Sequence, residues 1–492
     1  MAAVLVPLAA ATPAPDEATD DGRRIDPVAS AADYLHQHMT ENRIPGMAYA
    51  IVRGNQVIDQ KAWGIDGDGR SITPQTPFVL GSLTKSFTAL AVMQLVEAGR
   101  VELDAPVREH VPWLRLAEES VAARITVRQL LTHTTGLPQV ATMGLTDRYD
   151  NSPDGLTRSV RDLAGVRSTT RPGGAYQYSD ANYMILGALV EAVTGQPYGE
   201  HLRAHVLDPL GMTGSAATAA EARVAGVPAG HRYYFGRPQR FDPPFDTSGV
   251  SYGFLAASLS DMTHYALAQL NEGRYGDSTV LSPPGIAQLH AGQVSTDGGG
   301  GRYGLGWREG SLDGTGDRIV WHAGATANYF SHLVLVPESD LAVVILSNVY
   351  SLAMDGPLTS AAFNVVRIIQ GGAPQPETAE DPILAWTLSG LLALAGLLLA
   401  LLIWSLVRAL RRGRVRRSRR RIIIGATGWV ASCVTLLGGA LWVLPAMWDG
   451  AGLAQVLLFA PDIGHAMIAV AVLAGAIAVV RLGAAGCALT RE

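Results

Sequence analysis

Ser82 and Lys85 stand three residues apart in Gly81-Ser82-Leu83-Thr84-Lys85-Ser86. At the start of a helix that spacing puts both side chains on one face. A serine hydroxyl is a weak nucleophile until a neighbouring base takes its proton. A desolvated lysine can be that base, because an ammonium can lose a proton and a guanidinium cannot. The chain has 38 basic residues, of which only Lys61 and Lys85 are lysines. A lysine kept beside a serine is therefore a candidate for chemistry. The alternative is a surface lysine next to a helix-capping serine, so the pair needs company.

The company follows in chain order. Leu130-Leu131-Thr132-His133-Thr134-Thr135-Gly136-Leu137-Pro138 reads as a helix end running into a turn. Residues Pro172 to Tyr183 form a second turn with closely spaced polar groups, among them Tyr176, Tyr178, Asp180 and Tyr183. Tyr303-Gly304-Leu305-Gly306-Trp307 is expected to be extended, and His322-Ala323-Gly324-Ala325 to end a strand.

These groups need elements to hold them. Apolar Leu83, Phe87, Leu90, Ala91 and Leu95 recur at helical spacing, predicting a helix from Ser82 to about Gly99. Its N-terminus would offer backbone N–H groups to an oxyanion. Residues 47–63 read as two strands around Arg53-Gly54-Asn55, and strand patterns return at 318–322, 330–336 and 341–346. Between them, roughly 100–290 is helix and loop. Strands at both ends with helices between predict an α+β fold: one antiparallel sheet flanked by helices, with a helical subdomain beside it.

At this point the chain resembles the serine β-lactamase and penicillin-binding-protein superfamily. The likeness is to its class C-like branch of D-alanyl carboxypeptidases, D-aminopeptidases and esterases. It covers about residues 28–365. Ser82-x-x-Lys85, Tyr178 and His322-x-Gly324 match the branch's three motifs in order. The resemblance implies that Ser82 is the acylated nucleophile and that Lys85 and Tyr178 handle its proton. It further implies an oxyanion hole from the backbone N–H groups of Ser82 and Ala325, with Gly324 letting substrate approach the strand. His133 and Trp307 are expected to shape the fold. Tyr176 and Tyr183 are neighbouring alternatives to Tyr178, with ordinary packing as their other reading. No metal-ligand cluster or phosphate-binding glycine loop stands out in the sequence, so no cofactor and no metal are expected.

Two departures from the pattern matter. Asp180 stands where the branch has Asn, and a carboxylate only accepts hydrogen bonds where an amide can donate. Beside Lys85 it favours the ammonium, so Tyr178 is expected to act as a phenolate base. His322 replaces lysine and is expected to be a weaker, pH-dependent cation. Both changes predict reduced attraction for a substrate carboxylate, and hence neutral amides or esters, or D-amino-acid peptides, rather than efficient β-lactam hydrolysis.

Hydropathy and charge divide the chain. Residues 1–27 read as a signal peptide truncated at its start, followed by a disordered lead. The hydrolase domain is placed at 28–370 and a polar linker at 371–382. From residue 383 onward 11 arginines face Asp449, Asp462 and Glu492, a net of +8, while the rest of the chain carries −13. Three apolar stretches, 383–407, 422–444 and 456–480, are each long enough to cross a bilayer. Arg408–Arg421 holds nine arginines, which predicts a cytoplasmic loop contacting anionic lipid and an extracytoplasmic hydrolase domain. Trp386, Trp442 and Trp448 are expected near the outer face and Trp404 near the inner one. Asp462 and His465 are expected at the outer boundary rather than in a proton relay. The expected partners are the lipid bilayer and a small peptide, amide or ester substrate. The acidic domain speaks against nucleic acid. Cell-wall peptides are the first substrate class. The alternatives are a carboxylesterase and, from another class, a non-catalytic receptor for wall fragments.

Overall fold

The computed structural model describes residues 26–139, 144–296, 301–377, 382–411, 418–443 and 451–490. The lead through residue 25, residues 412–417 of the arginine loop, and Trp448 lie outside the described residues.

The central sheet is antiparallel and has eight strands. They are β1 (Gly46–Arg53), β2 (Gln56–Gly64), β5 (Val294–Ser295), β6 (Arg302–Tyr303), β7 (Arg308–Ser311), β8 (Arg318–Ala325), β9 (Phe330–Val336) and β10 (Leu341–Ser347). A smaller sheet holds the hairpin β3 (Gly230–Tyr234) and β4 (Arg237–Phe241) with β11 (Val349–Tyr350). The large sheet runs β2-β1-β10-β9-β8-β7-β6-β5, so strands from the two ends of the domain pair, β1 with β10. Met47 lies opposite Ser347, and Ala325 opposite Phe330.

Alternation along the strands builds two cores. Ala48, Ala50 and Val52 face one side of β1, and Met47, Tyr49 and Ile51 face the other. The second core lies against the helices Pro27–Glu41 and Asp355–Ile369. The first is larger and encloses the helix Thr84–Glu97, which is buried on nearly every side. It continues into the helical side domain, whose members include Val127–Leu131 and Asp180–Thr194. A helix buried all round explains why Lys85, within it, is fully enclosed.

Three local expectations change. Ser82 sits in a 3₁₀ turn, Gly81–Leu83, that feeds the helix at Thr84. Only Tyr303 is extended, as the last residue of β6; residues 304–307 turn between β6 and β7, with Gly306 at φ +78°. A Cβ there would meet the Ala89 side chain at 2.6 Å, so glycine lets the turn press on the nucleophile helix. The described part of the linker is held to the domain. Gln375 exchanges hydrogen bonds of 2.9 Å with Asn364, and Glu377 binds His38 and Asn42.

Three helices are long and apolar enough to span a membrane: Pro382–Leu410, Arg419–Val443 and Pro461–Leu489. The third begins at Pro461 rather than near 456, because Leu453–Phe459 forms a separate short helix before the proline. Asp462 and His465 fall in its first turns. Leu384, Leu391, Leu398 and Ser405, seven residues apart, are the buried positions of the first of these helices and pack toward the third. Trp386 and Trp442 stand at one end of the bundle and Trp404 at the other, all exposed.

Candidate active site

The turn carrying Ser82 is wedged against the end of β8. Gly81 has φ +55°, and a Cβ on it would lie 2.3 Å from the Ala325 nitrogen. A Cβ on Gly324 would lie 2.0 Å from the Leu80 oxygen and 2.6 Å from the Ser82 nitrogen. Only glycine at both places permits this approach, which sets the Ser82 and Ala325 amides side by side. Gly81 escaped notice in the sequence because its role depends on a strand more than two hundred residues away. The Ser331 hydroxyl bonds the Leu80 carbonyl at 2.5 Å and pins the same turn.

Ser82 is partly exposed, and its Oγ has two neighbours. Lys85 Nζ lies 3.0 Å away and Tyr178 Oη 2.7 Å away. Lys85 Nζ also donates to the Tyr252 carbonyl at 2.8 Å and pairs with Asp180 Oδ1 at 2.6 Å. Three acceptors thus surround an ammonium with three protons. Burial pulls Lys85 below the ordinary lysine value, and Asp180 opposes that pull. Tyr178 moves the other way. Burial first, then Asp180, push its phenol well above the ordinary value, against the Ser82 hydrogen bond. The phenolate expected from sequence is therefore disfavoured. Lys85 loses a proton more readily than a normal lysine, and Tyr178 less readily than a normal tyrosine.

Gln139 anchors Asp180 from two directions. Its Nε2 donates to Asp180 Oδ2 at 2.6 Å, and its Oε1 accepts from the Asp180 backbone N–H at 2.7 Å. Both carboxylate oxygens are thereby engaged. No residue type or spacing marked Gln139 beforehand. His133 props Tyr178 from behind, with ring centroids 4.4 Å apart. Its Nδ1 accepts from the Ser179 N–H and lies 3.0 Å from Asn182 Nδ2, and burial holds the ring neutral. Trp307 is fully buried and stacks with Tyr265. Both shape the fold, as their surroundings in the sequence suggested. Tyr183 is spent on the Leu131 carbonyl at 2.9 Å.

His322 is not the expected cation. It is 2 % exposed, and burial, then Arg308 and Lys85, hold it well below the ordinary histidine value. Nδ1 lies 2.6 Å from the Ala323 carbonyl and must carry the proton, so Nε2 accepts from the Tyr303 hydroxyl at 3.1 Å. The positive charge beside the site comes instead from Arg308, at the start of β7 next to β8. Its guanidinium lies 5.3 Å from the Trp321 ring centroid and 5.7 Å from that of Tyr303, and it reaches Tyr176 Oη at 3.4 Å. Arg308 is one of 36 arginines, and its type and sequence neighbours do not set it apart. Among the described residues no group of three or more His, Cys, Asp or Glu side chains is placed to hold a metal ion.

A serine with a buried lysine, a tyrosine hydroxyl and adjacent backbone amides, on this α+β frame, defines the class of serine acyl-transfer proteins. The chain belongs to the beta-lactamase family: the family model described as Beta-lactamase matches residues 31–362. It is 32% identical over 358 residues to penicillin-binding protein 4 of Amycolatopsis lactamdurans, covering 70% of this chain and 90% of that protein. Protein flp of Staphylococcus aureus strain MW2 is 28% identical over 324 residues, 65% of this chain; the match spans 63% of that relative's length. With flp of strain COL the match is 26% identical and covers 84% of this chain, a share that cannot be reached without entering the apolar C-terminal region. Among solved structures, an octameric penicillin-binding protein homologue from Pyrococcus abyssi superposes with a TM-score of 0.62 at 26% identity, over 71% of this chain and 79% of its own.

Proposed function

We propose that this protein is a membrane-anchored serine hydrolase that cleaves D-amino-acid peptides or related amides and esters through an acyl-enzyme on Ser82. The observation that carries the reading is the placement of Lys85 Nζ and Tyr178 Oη at 3.0 and 2.7 Å from Ser82 Oγ. A receptor has no use for a lysine buried against a carboxylate at a cost in desolvation.

The reaction begins when Lys85 has given up one proton. Ser82 Oγ passes its proton to Lys85 Nζ and bonds the scissile carbonyl carbon. The carbonyl oxygen becomes an oxyanion between the Ser82 and Ala325 amides, a stabilisation whose loss costs about 10²–10³ in rate. Collapse breaks the bond to the leaving group, which takes the proton from Lys85 through the Tyr178 hydroxyl. Water then repeats the sequence with Ser82 Oγ as the leaving group.

Arg308 revises the substrate side. Sequence reading predicted weak attraction for a carboxylate, but a guanidinium beside the site supports a substrate with a terminal carboxylate. Peptides with a free C-terminal carboxylate, the kind of substrate a carboxypeptidase cleaves, fit this better than neutral esters. The three apolar helices suggest membrane association, and the arginine-rich segment between the first two supports a hydrolase domain outside the cytoplasm. The test is intact-protein mass spectrometry after exposure to a fluorophosphonate and to a labelled penicillin. An adduct is expected on the wild type and none on Ser82→Ala. An unmodified wild type with both probes overturns the enzyme reading.

A further inference from the structure

A cavity of about 330 Å³ adjoins the catalytic turn. Its wall includes Val79, just before Gly81, and Thr326 to Tyr329, just after Ala325. It also includes Val227 and Pro228, which lead into β3, and Asp242 to Phe245, which follow β4. The β3–β4 hairpin therefore grows out of this wall on both legs. Its base is tied there: Asn328 Nδ2 donates to the Phe241 carbonyl at 3.3 Å, and the Tyr329 hydroxyl donates to the Pro228 carbonyl.

The same hairpin also meets the apolar helices, along β3 and at its tip. Arg232 lies over the Phe241 ring at 4.2 Å and donates to the Leu457 carbonyl at 3.2 Å. Tyr234 meets the ring of His465, in the first turns of the third apolar helix, edge-on at 5.4 Å. Phe459 packs against the second core and edge-on to Tyr350, beside β3. Phe235 at the tip is 46% exposed with φ +50°, and Arg43 pins the turn through the Gly236 carbonyl at 2.9 Å. Leu352, also exposed, precedes Ala353, which packs on the cluster formed by the apolar helices. Exposed aromatic and aliphatic side chains continuous with the top of a membrane-spanning bundle match the lipid–water interface, where aromatic rings concentrate.

We propose that the hairpin tip seats the hydrolase domain on the bilayer surface, and that the active site therefore takes acyl donors anchored in that same membrane. This rests on the reading of the three helices as membrane spans and of Ser82 as a nucleophile. A five-residue strand rises about 15 Å, so the cavity lies within about one hairpin length of the interface. A substrate whose lipid anchor carries a polar headgroup of that reach can enter it without leaving the bilayer. The wall suits such a headgroup: Tyr149, Phe245 and Phe254 supply apolar faces, and Asp147, Asn151 and Arg223 supply polar contacts.

The test uses the full-length protein in phosphatidylcholine–phosphatidylglycerol vesicles. Vesicle flotation first checks that the protein is membrane-bound; a chain that stays with the soluble fraction overturns the seating together with the span reading. A nitroxide on Phe235→Cys, in a Cys433→Ser, Cys487→Ser background, is expected to be relaxed by oxygen and shielded from a water-soluble nickel chelate. The same label on Val57→Cys, at an exposed position of β2, is expected to show the reverse. Equal chelate access at both sites overturns the seating. Substrate access is read with two lipid-tailed fluorophosphonates, one with a spacer of about 15 Å and one of about 60 Å. Labelling of Ser82 is expected to be at least as fast with the short spacer. Phe235→Asp is expected to slow the short probe roughly tenfold and leave a soluble fluorophosphonate unchanged, as lost effective concentration requires. A short probe tenfold slower than the long one in the wild type overturns the proposal. Failure of all three probes, with the nitroxide result intact, overturns the enzyme reading and leaves the seating standing.

Discussion

Replacing Asp180 by asparagine tests which group takes the Ser82 proton. The carboxylate sits 2.6 Å from a lysine nitrogen with no exposure of its own. Breaking a buried ion pair by removing one partner costs roughly 3–5 kcal/mol if the other stays charged. Lys85 escapes that cost by releasing its proton, and each pKa unit is worth about 1.4 kcal/mol. The asparagine also loses a hydrogen bond. Asp180 uses one oxygen on Lys85 and the other on Gln139 Nε2, and an amide has a single acceptor oxygen. Labelling of Ser82 by a fluorophosphonate should rise with pH as Lys85 becomes neutral. Without the carboxylate the neutral form is favoured, so this rise should shift about 2–4 pH units toward acid. Below the wild-type midpoint the variant should be the faster enzyme. The folded-state value of Lys85 is already below its ordinary 10.5. The unfolded chain thus binds more protons between those two values, and stability rises with pH across that window. The window should extend further toward acid in the variant, visible as a urea midpoint that falls more steeply with acidification. A labelling profile that stays in place or moves toward base refutes Lys85 as the titrating group and returns the role to Tyr178.

Other substitutions separate the remaining parts. Tyr178→Phe keeps the ring on His133 and removes the hydroxyl at 2.7 Å; turnover should drop by roughly 10²–10⁴ with little change in melting temperature. Arg308→Gln should raise KM for a peptide with a free terminal carboxylate by about 10–100-fold, the worth of a charged hydrogen bond, and leave its amidated counterpart unaffected. With His322 held neutral by burial, that KM should show no step near pH 6.5, and a step there would return His322 to the anion site. Gly324→Ala drives a methyl against the Leu80 carbonyl; both stability in urea and acylation should fall, acylation by about 10²–10³ if the oxyanion amides separate.

The sequence by itself determined the frame. Apolar, β-branched runs at both ends of the domain and helices between them pointed to one sheet built from both ends, while the side each β1 residue faces, buried on both, was set by the fold. Ser82 and Lys85 were legible from residue type and local spacing, and Tyr178 and Gly324 through the resemblance to the β-lactamase and penicillin-binding-protein motifs. Charge and hydropathy marked the three apolar helices. Protonation and charge placement were decided only by tertiary structure. Whether Tyr178 or Lys85 yields a proton depends on burial and on Asp180, held by Gln139, 41 residues earlier in the chain. His322 was legible as a strand-end histidine, but its neutrality required Tyr303 and a closed core around it. Arg308 looked like any other arginine until β7 lay beside β8. Pairwise electrostatics acts over a few ångströms of space, and chain position does not encode that distance until the fold has formed.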